Sequence, residues 1–458
     1  MSYRHTERGM DLAEQISTKS TNSDERPLEG LLSRAPERAI LVSVEMPEVD
    51  WNVEDSLDEL ARLASTAGVT CVDRVVQRLQ QPHGATLIGS GKVKELSELA
   101  HANDCDAVIF DLELKPNQQR NLERELEIQV LDRTALILII FGQRARTREG
   151  RLQVELAQVE YDLPRLTRQW GHLSRQRGGT QQRGEGEKQI EVDRRMLRRQ
   201  KDQLTEDLEH VRVERQLHRE RRKYTGAPVV ALVGYTNAGK STLLNRLANH
   251  THTLAEDKLF ATLDPTTRRV RQPGGQEFLL TDTVGFVQRL PTTLVAAFRA
   301  TLEEVAEADL LLHVVDASHP QVHTQVAAVE QVLEEIGAGG LPIVVALNKI
   351  DLFPADIPMQ LQGISSKLPT IQISAANGTG IEELLQCISK TLVEQFVSLD
   401  VVIPYDRGEL VAQFHRFGSI ESEEYEEGGT HLLGHIPSNH SGPFMQFQKR
   451  GSRHNAHA

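Results

Sequence analysis

The chain has 458 residues and a formal net charge of −13 at pH 7. That length suits about three domains, and the acidic balance excludes general nucleic-acid binding over the whole surface. Hydrophobic residues make up 39%, enough for sizeable cores, and the three cysteines Cys71, Cys105 and Cys387 form no CxxC pair. A disulfide framework and a zinc site are thereby excluded, and a reduced, cytoplasmic setting is expected.

Residues 1–37 are polar and rich in Ser, Thr, Glu and Arg, which predicts a disordered tail and no secretory signal. From 38 to 142 the pattern alternates. "AILVSVEM" (39–46), "GVTCVDRVVQ" and "AVIFD" (107–111) read as strands, and "SLDELARLASTAG" (56–68) and "KVKELSELAHAND" as helices. "PNQQRNLERELEIQVLDRTALILIIF" mixes helix and strand. This is a small N-terminal α/β domain. The longest uninterrupted apolar run, "ALILIIF" at 135–141, is too short to span a bilayer.

The stretch 144–223 holds 21 Lys and Arg against 14 Asp and Glu, a local surplus of seven positive charges. Leu152, Leu156, Val159, Leu163, Leu166, Trp170 and Leu173 recur at alternating steps of four and three, an apolar helical seam. Pro164 lies inside it and predicts a kink or a break. Ile190, Leu197, Leu204 and Val211 form a second seam. Between them "RQRGGTQQRGEGEK" (175–188) carries four glycines, three arginines and no apolar residue. The whole predicts an antiparallel helical hairpin, 143–224, with a basic Gly-rich tip. A solvated spacer accounts for the helices alone. The tip favours RNA, because glycine permits close backbone approach and guanidinium groups meet phosphates. Arg175, Arg177, Gly178, Gly179, Arg183 and Lys188 are the expected RNA contacts.

Residues 225–397 alternate again, with near-continuous apolar runs "VVALVG", "FLLTDT", "ADLLLHVVDAS", "LPIVVALNKID" and "TIQISA". Such runs suit parallel strands covered on both faces. "GYTNAGKS" matches G-x-x-x-x-G-K-[ST] at Gly234, Gly239, Lys240 and Ser241, between a strand and a helix. Backbone N–H groups of Tyr235, Thr236, Asn237, Ala238 and Thr242 line the same loop, which is built as a concave anion site. Lys240 suits the β- and γ-phosphates and Ser241 suits Mg²⁺. "FATLDPTTR" supplies Phe260, Ala261, Thr262, Leu263 and Asp264, with Thr262 as the switch hydroxyl on Mg²⁺. "TDTVGF" supplies Asp282, Thr283, Val284 and Gly285. Asp282 suits Mg²⁺ through water, and the Gly285 N–H suits the γ-phosphate. Lys240, Thr262 and Gly285 are the expected catalytic groups. Asn348, Lys349, Ile350 and Asp351 read N-K-x-D. The Asp351 carboxylate accepts from guanine's two N–H donors, where adenine presents a lone pair. Ser374, Ala375 and Ala376 offer backbone N–H to the guanine oxygen. Five elements in this order predict a P-loop GTPase domain. Phe286 follows the glycine where Ras-like proteins carry a water-orienting glutamine, so slow or partner-dependent hydrolysis is expected. Asn237 resembles the asparagine that helps hold K⁺ beside the phosphates in some GTPases.

Residues 398–446 predict a small C-terminal α+β strand–helix–strand unit, and 447–458 a frayed tail. "GSGK" at 89–92 fails the spacing of a second phosphate loop, because position 86 is Thr86. It reads as a turn opening a helix.

The "IGSGKVKEL", "PNQQRNLE", "RGGTQQRGEGEKQIEVDRR" and "FATLDPTTR" blocks together resemble the HflX family of GTPases over about residues 38–435. The family pattern has threonine where this chain has Lys188. The resemblance implies binding to the large ribosomal subunit in the GTP state and splitting of stalled or idle ribosomes. It also implies insertion of the N-terminal region and hairpin near the peptidyl transferase centre, and leaves room for ATP use by the N-terminal domain. A monomer off the ribosome, without a membrane anchor, is expected. Two other readings share the nucleotide boxes: an assembly GTPase on precursor ribosomal RNA, like Era or Obg proteins, and a GTP-timed regulatory scaffold.

Overall fold

Strands buried on both faces must be apolar throughout, and the four that begin the chain obey this most closely in the middle of their sheet. The computed structural model describes residues 35–47, 52–166, 183–223, 227–248, 259–260, 263–271, 277–287, 294, 299–352, 368–394, 396–437 and 441–449. Strands β1 (Arg38–Glu45), β2 (Thr70–Arg78), β3 (Ala107–Phe110) and β4 (Gln129–Asp132) form a parallel sheet in the order β2-β1-β3-β4. Helices α1 (Val53–Thr66), α2 (Ser90–Ala102) and α3 (Pro116–Leu126) connect them, and α4 (Arg133–Arg144) follows. The Asn52 side chain caps α1 by accepting from the Glu54 N–H at 3.0 Å, and Leu57, Leu60, Leu63 and Ala64 bury one face. The run "ALILIIF" lies wholly in α4, with every residue buried. A helix apolar on all sides is a core helix.

The amides of the "PNQQRN" block hold backbone. Gln118 Nε2 donates to His83 O at 3.0 Å, Asn121 Nδ2 to Ala85 O at 2.9 Å and Gln119 Nε2 to Val130 O at 2.9 Å. They pin the 83–88 loop and the start of β4.

At the carboxyl edge of this sheet Asp111 is buried. It accepts from Ser56 Oγ at 2.6 Å, Ser43 Oγ at 3.3 Å and Arg133 Nη2 at 3.0 Å, and Arg133 also pairs with Glu59. Asp132 is likewise buried and receives the Ala135 N–H, the Leu114 N–H, the Tyr161 hydroxyl and Arg165. Burial pushes the Asp132 carboxyl upward, and these donors oppose that shift.

Helix α5 (Arg148–Asp162) stops two residues before Pro164, as the proline requires. Helix α6 (Arg183–Lys223) is 41 residues long. Leu197, Leu204, Leu208 and Val211 lie along its partly buried stripe. Residues 175–182 of the expected tip lie outside the described residues. Residues 183–188 are the first turns of α6 rather than loop, despite Gly184 and Gly186. Their good helix-forming neighbours Glu185, Glu187 and Lys188 outweigh the glycines.

The second sheet runs β10-β9-β8-β5-β7-β6. Its strands are β5 (Val229–Val233), β6 (Thr266–Arg271), β7 (Glu277–Asp282), β8 (Leu310–Asp316), β9 (Ile343–Asn348) and β10 (Thr370–Gln372). All neighbours are parallel except β6 and β7. Strand β6 was not expected. It sits at the edge and buries only Val270 fully, so its "TTRRVR" carries no apolar run. The flanking helices are α7 (Lys240–Leu247), α8 (Arg299–Ala306), α9 (Val322–Glu335) and α10 (Ile381–Glu394).

The last element group is antiparallel, β11-β13-β12, formed by β11 (Phe396–Ile403), β12 (Ser419–Glu426) and β13 (Gly429–Pro437), with α11 (Gly408–Phe417) between the first two. One strand more than the strand–helix–strand expectation is present, because the acidic "SIESEEYE" forms the edge strand β12. Charge on an edge is a common guard against stray pairing. The frayed-tail expectation is corrected for 447–449. Phe444 packs edge-on against Phe414 at 5.4 Å. Gln448 then bridges Val401, the Lys449 N–H donates to Asp400 O at 2.9 Å, and Lys449 Nζ pairs with Glu426.

The chain divides into two compact units, Met1–Gln143 with Glu155–Lys201, and Arg144–Val154 with Asp202–Ala458. The boundaries at 154 and 201 cut through α5 and α6. Among the described residues no helix is long and apolar enough to cross a membrane, and the three cysteines are free.

Replacing Arg133 with leucine leaves Asp111 and Glu59 buried without their cation, at an expected cost of ~3–5 kcal/mol. Amide exchange in β1 and β3 should accelerate accordingly. Unchanged protection would show that the serine hydroxyls suffice.

Candidate phosphate loop and base-recognition site

In the second sheet β5 lies between β8 and β7, so the loop after β5 emerges where the strand order reverses. Open α/β sheets bind ligands at that point. The loop must turn tightly against β8. Gly234 has φ 147° and its α-carbon faces Val314 O so closely that a Cβ would collide. Asn237 (φ 62°) and Gly239 (φ 96°) are also left-handed. Helix α7 starts at Lys240, and the first turn of a helix presents backbone N–H groups that make a ready anion seat.

Lys240 is buried, and its ammonium donates to Gly234 O at 3.0 Å and Tyr235 O at 2.9 Å. Burial pushes its pKa down to about 8, against the pull of Asp282. The lysine is thus folded over the loop's own carbonyls, which take two of the ammonium's three donors. Ser241 Oγ donates to Asp282 Oδ2 at 2.7 Å at the end of β7. A hydroxyl beside a carboxylate is a hard-oxygen donor set that fits Mg²⁺.

The segment after β7 is fastened to the loop. Thr236 N–H donates to Phe286 O at 2.7 Å and Phe286 N–H to Gly234 O at 3.1 Å. Phe286 itself is buried among Val233, Leu302 and Val305, turned away from the loop. A Cβ on Gly285 would lie 2.8 Å from Thr236 Cγ2 and 3.0 Å from Lys240 Nζ. Thr283 faces the sheet, where its hydroxyl donates to Leu232 O at 2.6 Å. Val284 is buried.

At the other end, Asn348 Nδ2 donates to Ala238 O at 2.8 Å and its Oδ1 accepts from the Ala375 N–H at 2.9 Å. Lys349 (φ 65°) pairs with Asp316 at 2.8 Å. Asp351 lies exposed in the turn Ile350–Leu352. Ser374 and Ala375 are buried and Ala376 is exposed. Ser374 Oγ accepts from Asn377 N–H at 3.3 Å, closing that turn. The sequence did not single out Arg246, whose Nε donates to Ala375 O at 3.1 Å and whose Nη2 reaches Ala376 O. Arg246 braces the 374–377 turn and Asp316 holds Lys349, each from a position far along the chain, and no local pattern marks them.

Among the switch residues, Phe260 and Leu263 are buried and Ala261 and Thr262 lie outside the described residues. Asp264 is engaged elsewhere than at a nucleotide. Its Oδ2 accepts from the Arg146 and Thr147 N–H groups, both at 2.9 Å, and its Oδ1 from the Thr147 hydroxyl. Thr147 Oγ1 in turn accepts from the Gly150 N–H at 2.9 Å, the bond of a helix N-cap. A Cβ on Gly150 would press on Asp264 Oδ1, so a larger residue there would push the carboxylate aside.

Of the expected RNA contacts, Arg175, Arg177, Gly178 and Gly179 lie outside the described residues, and Arg183 and Lys188 are in the first turns of α6. In the "GSGK" segment Gly89 caps α2, and Lys92 pairs with Glu95 at 2.8 Å.

Three family profiles match in series: "GTP-binding GTPase N-terminal" at residues 54–142, "GTP-binding GTPase Middle Region" at 144–222 and "50S ribosome-binding GTPase" at 229–349. A GTPase HflX of Lacrimispora saccharolytica is 44% identical over 89% of this chain and 95% of its own length. The GTPase HflX of Escherichia coli is 44% identical over 86% and 92%. A GTP-binding protein of the archaeon Sulfolobus solfataricus, solved with GDP, aligns at 24% identity over 78% of this chain and 99% of its own, with a TM-score of 0.43.

His313 on β8 is buried, and its pKa is pushed down to about 4, first by burial and then by the Lys240 charge. The unfolded chain takes up this proton near pH 6.5 and the folded chain only near 4. The neutral ring's contribution is therefore full above pH 6.5 and is lost as the pH falls toward 4, about 3 kcal/mol in all. His313→Gln should unfold at temperatures that drop less between pH 7 and 4.5 than those of the wild type. Equal drops would mean that the ring is protonated in the fold.

Proposed function

The chain belongs to the HflX family of GTPases, and on that premise we propose that its GTP cycle controls binding to the large ribosomal subunit. The protein hydrolyses GTP to GDP and phosphate. The observation that carries the ribosomal reading is the pairing of this GTPase domain, matched by a profile for 50S ribosome-binding GTPases, with the basic surplus of residues 144–223 on an otherwise acidic chain.

The triphosphate lies along the N–H groups of 237–242. The Lys240 ammonium, already buried on two carbonyls, turns its remaining donor capacity to the β- and γ-phosphate oxygens, so its charge is not newly buried. Ser241 and Thr262, with Asp282 through water, would hold Mg²⁺, which would neutralise developing phosphate charge. The Gly285 N–H meets the γ-phosphate. Asp351 reads the guanine edge, and the Ser374–Ala376 turn meets its oxygen. Asn348 holds these two regions at a fixed separation. Asn237 contributes to a K⁺ site beside the phosphates.

The γ-phosphate orders 260–268 and 282–290, and hydrolysis releases them. In the GTP state the N-terminal domain and the hairpin engage ribosomal RNA, with Arg175, Arg177, Arg183 and Lys188 on phosphates. The outcome is splitting of stalled or idle ribosomes in the cytoplasm by a monomeric factor. ATP use by the N-terminal domain finds no support at "GSGK", where Lys92 is ion-paired.

Asp351→Asn should shift preference from GTP toward xanthosine triphosphate by at least tenfold in competition binding, and an unchanged preference would remove Asp351 from base reading. GTP turnover in potassium buffer should rise at least tenfold with purified large subunits, and deletion of 176–187 should spare GTP binding but abolish that rise. Stimulation that survives the deletion would reduce the hairpin to a spacer, and equal turnover in sodium would remove the K⁺ role.

A further inference from the structure

Thr236 occupies the third position of the phosphate loop and is 6% exposed. Its Oγ1 is buried and has no hydrogen-bond partner among the described residues. Its backbone N–H is already committed to Phe286 O at 2.7 Å. The side-chain hydroxyl is therefore the polar group that this residue has left to offer. Its surroundings are those of the reacting phosphate. Gly285 lies directly against it, so that a Cβ there would meet Thr236 Cγ2 at 2.8 Å and Lys240 Nζ at 3.0 Å.

A buried hydroxyl without a partner is costly and uncommon, and an apolar isostere would fit the same space. Phe286, the residue at the usual water-orienting position, is turned into the core among Val233, Leu302 and Val305. It has no polar side-chain atom. One wall of the loop therefore lacks its customary hydrogen-bonding group, and Thr236, which meets that wall through its methyl group and Cα, carries an unspent hydroxyl.

We propose that the Thr236 hydroxyl is a catalytic group that hydrogen-bonds the lytic water against the γ-phosphate, in place of the glutamine absent at 286. The inference rests on the seating of the triphosphate along 237–242 given above. The water oxygen forms the new bond to the γ-phosphorus, and the bond from that phosphorus to the β–γ bridging oxygen breaks. GDP leaves with the electron pair, and the water's proton passes to the departing inorganic phosphate. Thr236 stays neutral. It orients the water and takes no proton, which suits a hydroxyl with one donor and two acceptor sites.

The test uses the full chain with Thr236→Val, which keeps shape and removes the hydroxyl, and Thr236→Ser, which keeps the hydroxyl. Expected for valine is a fall in kcat of about 100-fold, the size of losing one preorganised polar contact. GTP and GDP affinities should stay within threefold, and capture of GDP with aluminium fluoride should be lost. Its nucleotide-free unfolding temperature should equal or exceed that of the wild type, because an unsatisfied group has been removed. Serine should restore turnover and aluminium fluoride capture. Wild-type turnover in the valine variant overturns the proposal, as does a serine variant as slow as valine. Parallel loss of ground-state nucleotide affinity and of folding stability in valine also overturns it, by making the hydroxyl structural. Lys240→Ala separates the premise: if it binds GTP normally, the seating itself is wrong, whereas lost binding there with a fully active valine variant sinks Thr236 alone.

Discussion

One side-chain amide holds the nucleotide site in register. Asn348 donates to a carbonyl of the phosphate loop and accepts from an N–H of the 374–376 turn, so two loops more than a hundred residues apart are fixed against each other by one planar group. Both bonds are buried, where leaving either partner unmatched costs about 1–3 kcal/mol. Gly239 belongs to the same constraint. It is left-handed, and a Cβ there would occupy the space of Asn348 Nδ2. The loop's glycine thus serves the amide behind it as well as any phosphate in front. Arg246 and the Lys349–Asp316 pair repeat the logic at the rim, holding backbone so that Asp351 is left free in solvent.

The N-terminal and GTPase sheets treat the same topological feature in opposite ways. In each, a central strand is flanked on both sides and a crevice opens at its carboxyl end. In the N-terminal sheet Asp111, Arg133, Glu59 and two serine hydroxyls form a buried charge network. In the GTPase sheet the corresponding place holds Lys240, resting on two neutral carbonyls. Neutral partners leave an ammonium's charge open to a phosphate far more readily than carboxylates would. The first arrangement stabilises a fold, and the second keeps a charge available.

The turn at 234–240 was legible in the sequence because its spacing encodes backbone geometry: left-handed residues and a helix start at Lys240. The strands of the GTPase sheet were legible where burial on both faces forces apolar runs. Strand β6 was not, since an edge strand needs only Val270 inside and otherwise displays arginines. The "ALILIIF" run could not be told from a strand by composition, because a helix buried on every side has no periodicity. Residues 447–449 looked like a tail, yet Phe447 packs on the C-terminal core and Lys449 finds a backbone carbonyl on β11 and a carboxylate on β12. Arg246, Asp316 and the Asp264–Thr147 contact were invisible for a different reason. Each joins positions separated by 33 to 130 residues, and a single sequence carries no record of such pairs.

The bond between Asp264 and the turn at 146–150 bears on how the molecule can be taken apart. Composition suggests excising the GTPase domain at residue 225, but residues 144–154 cluster with 202–458. A fragment cut at 225 discards Arg146, Thr147 and Gly150, and the Asp264 carboxylate then faces water in the segment nearest the switch. Truncations from the N-terminus are therefore not neutral subtractions. Once they pass residue 146, any altered nucleotide response mixes the absence of a domain with the release of a switch residue 117 positions away. The smallest intact piece of this GTPase is discontinuous in the gene.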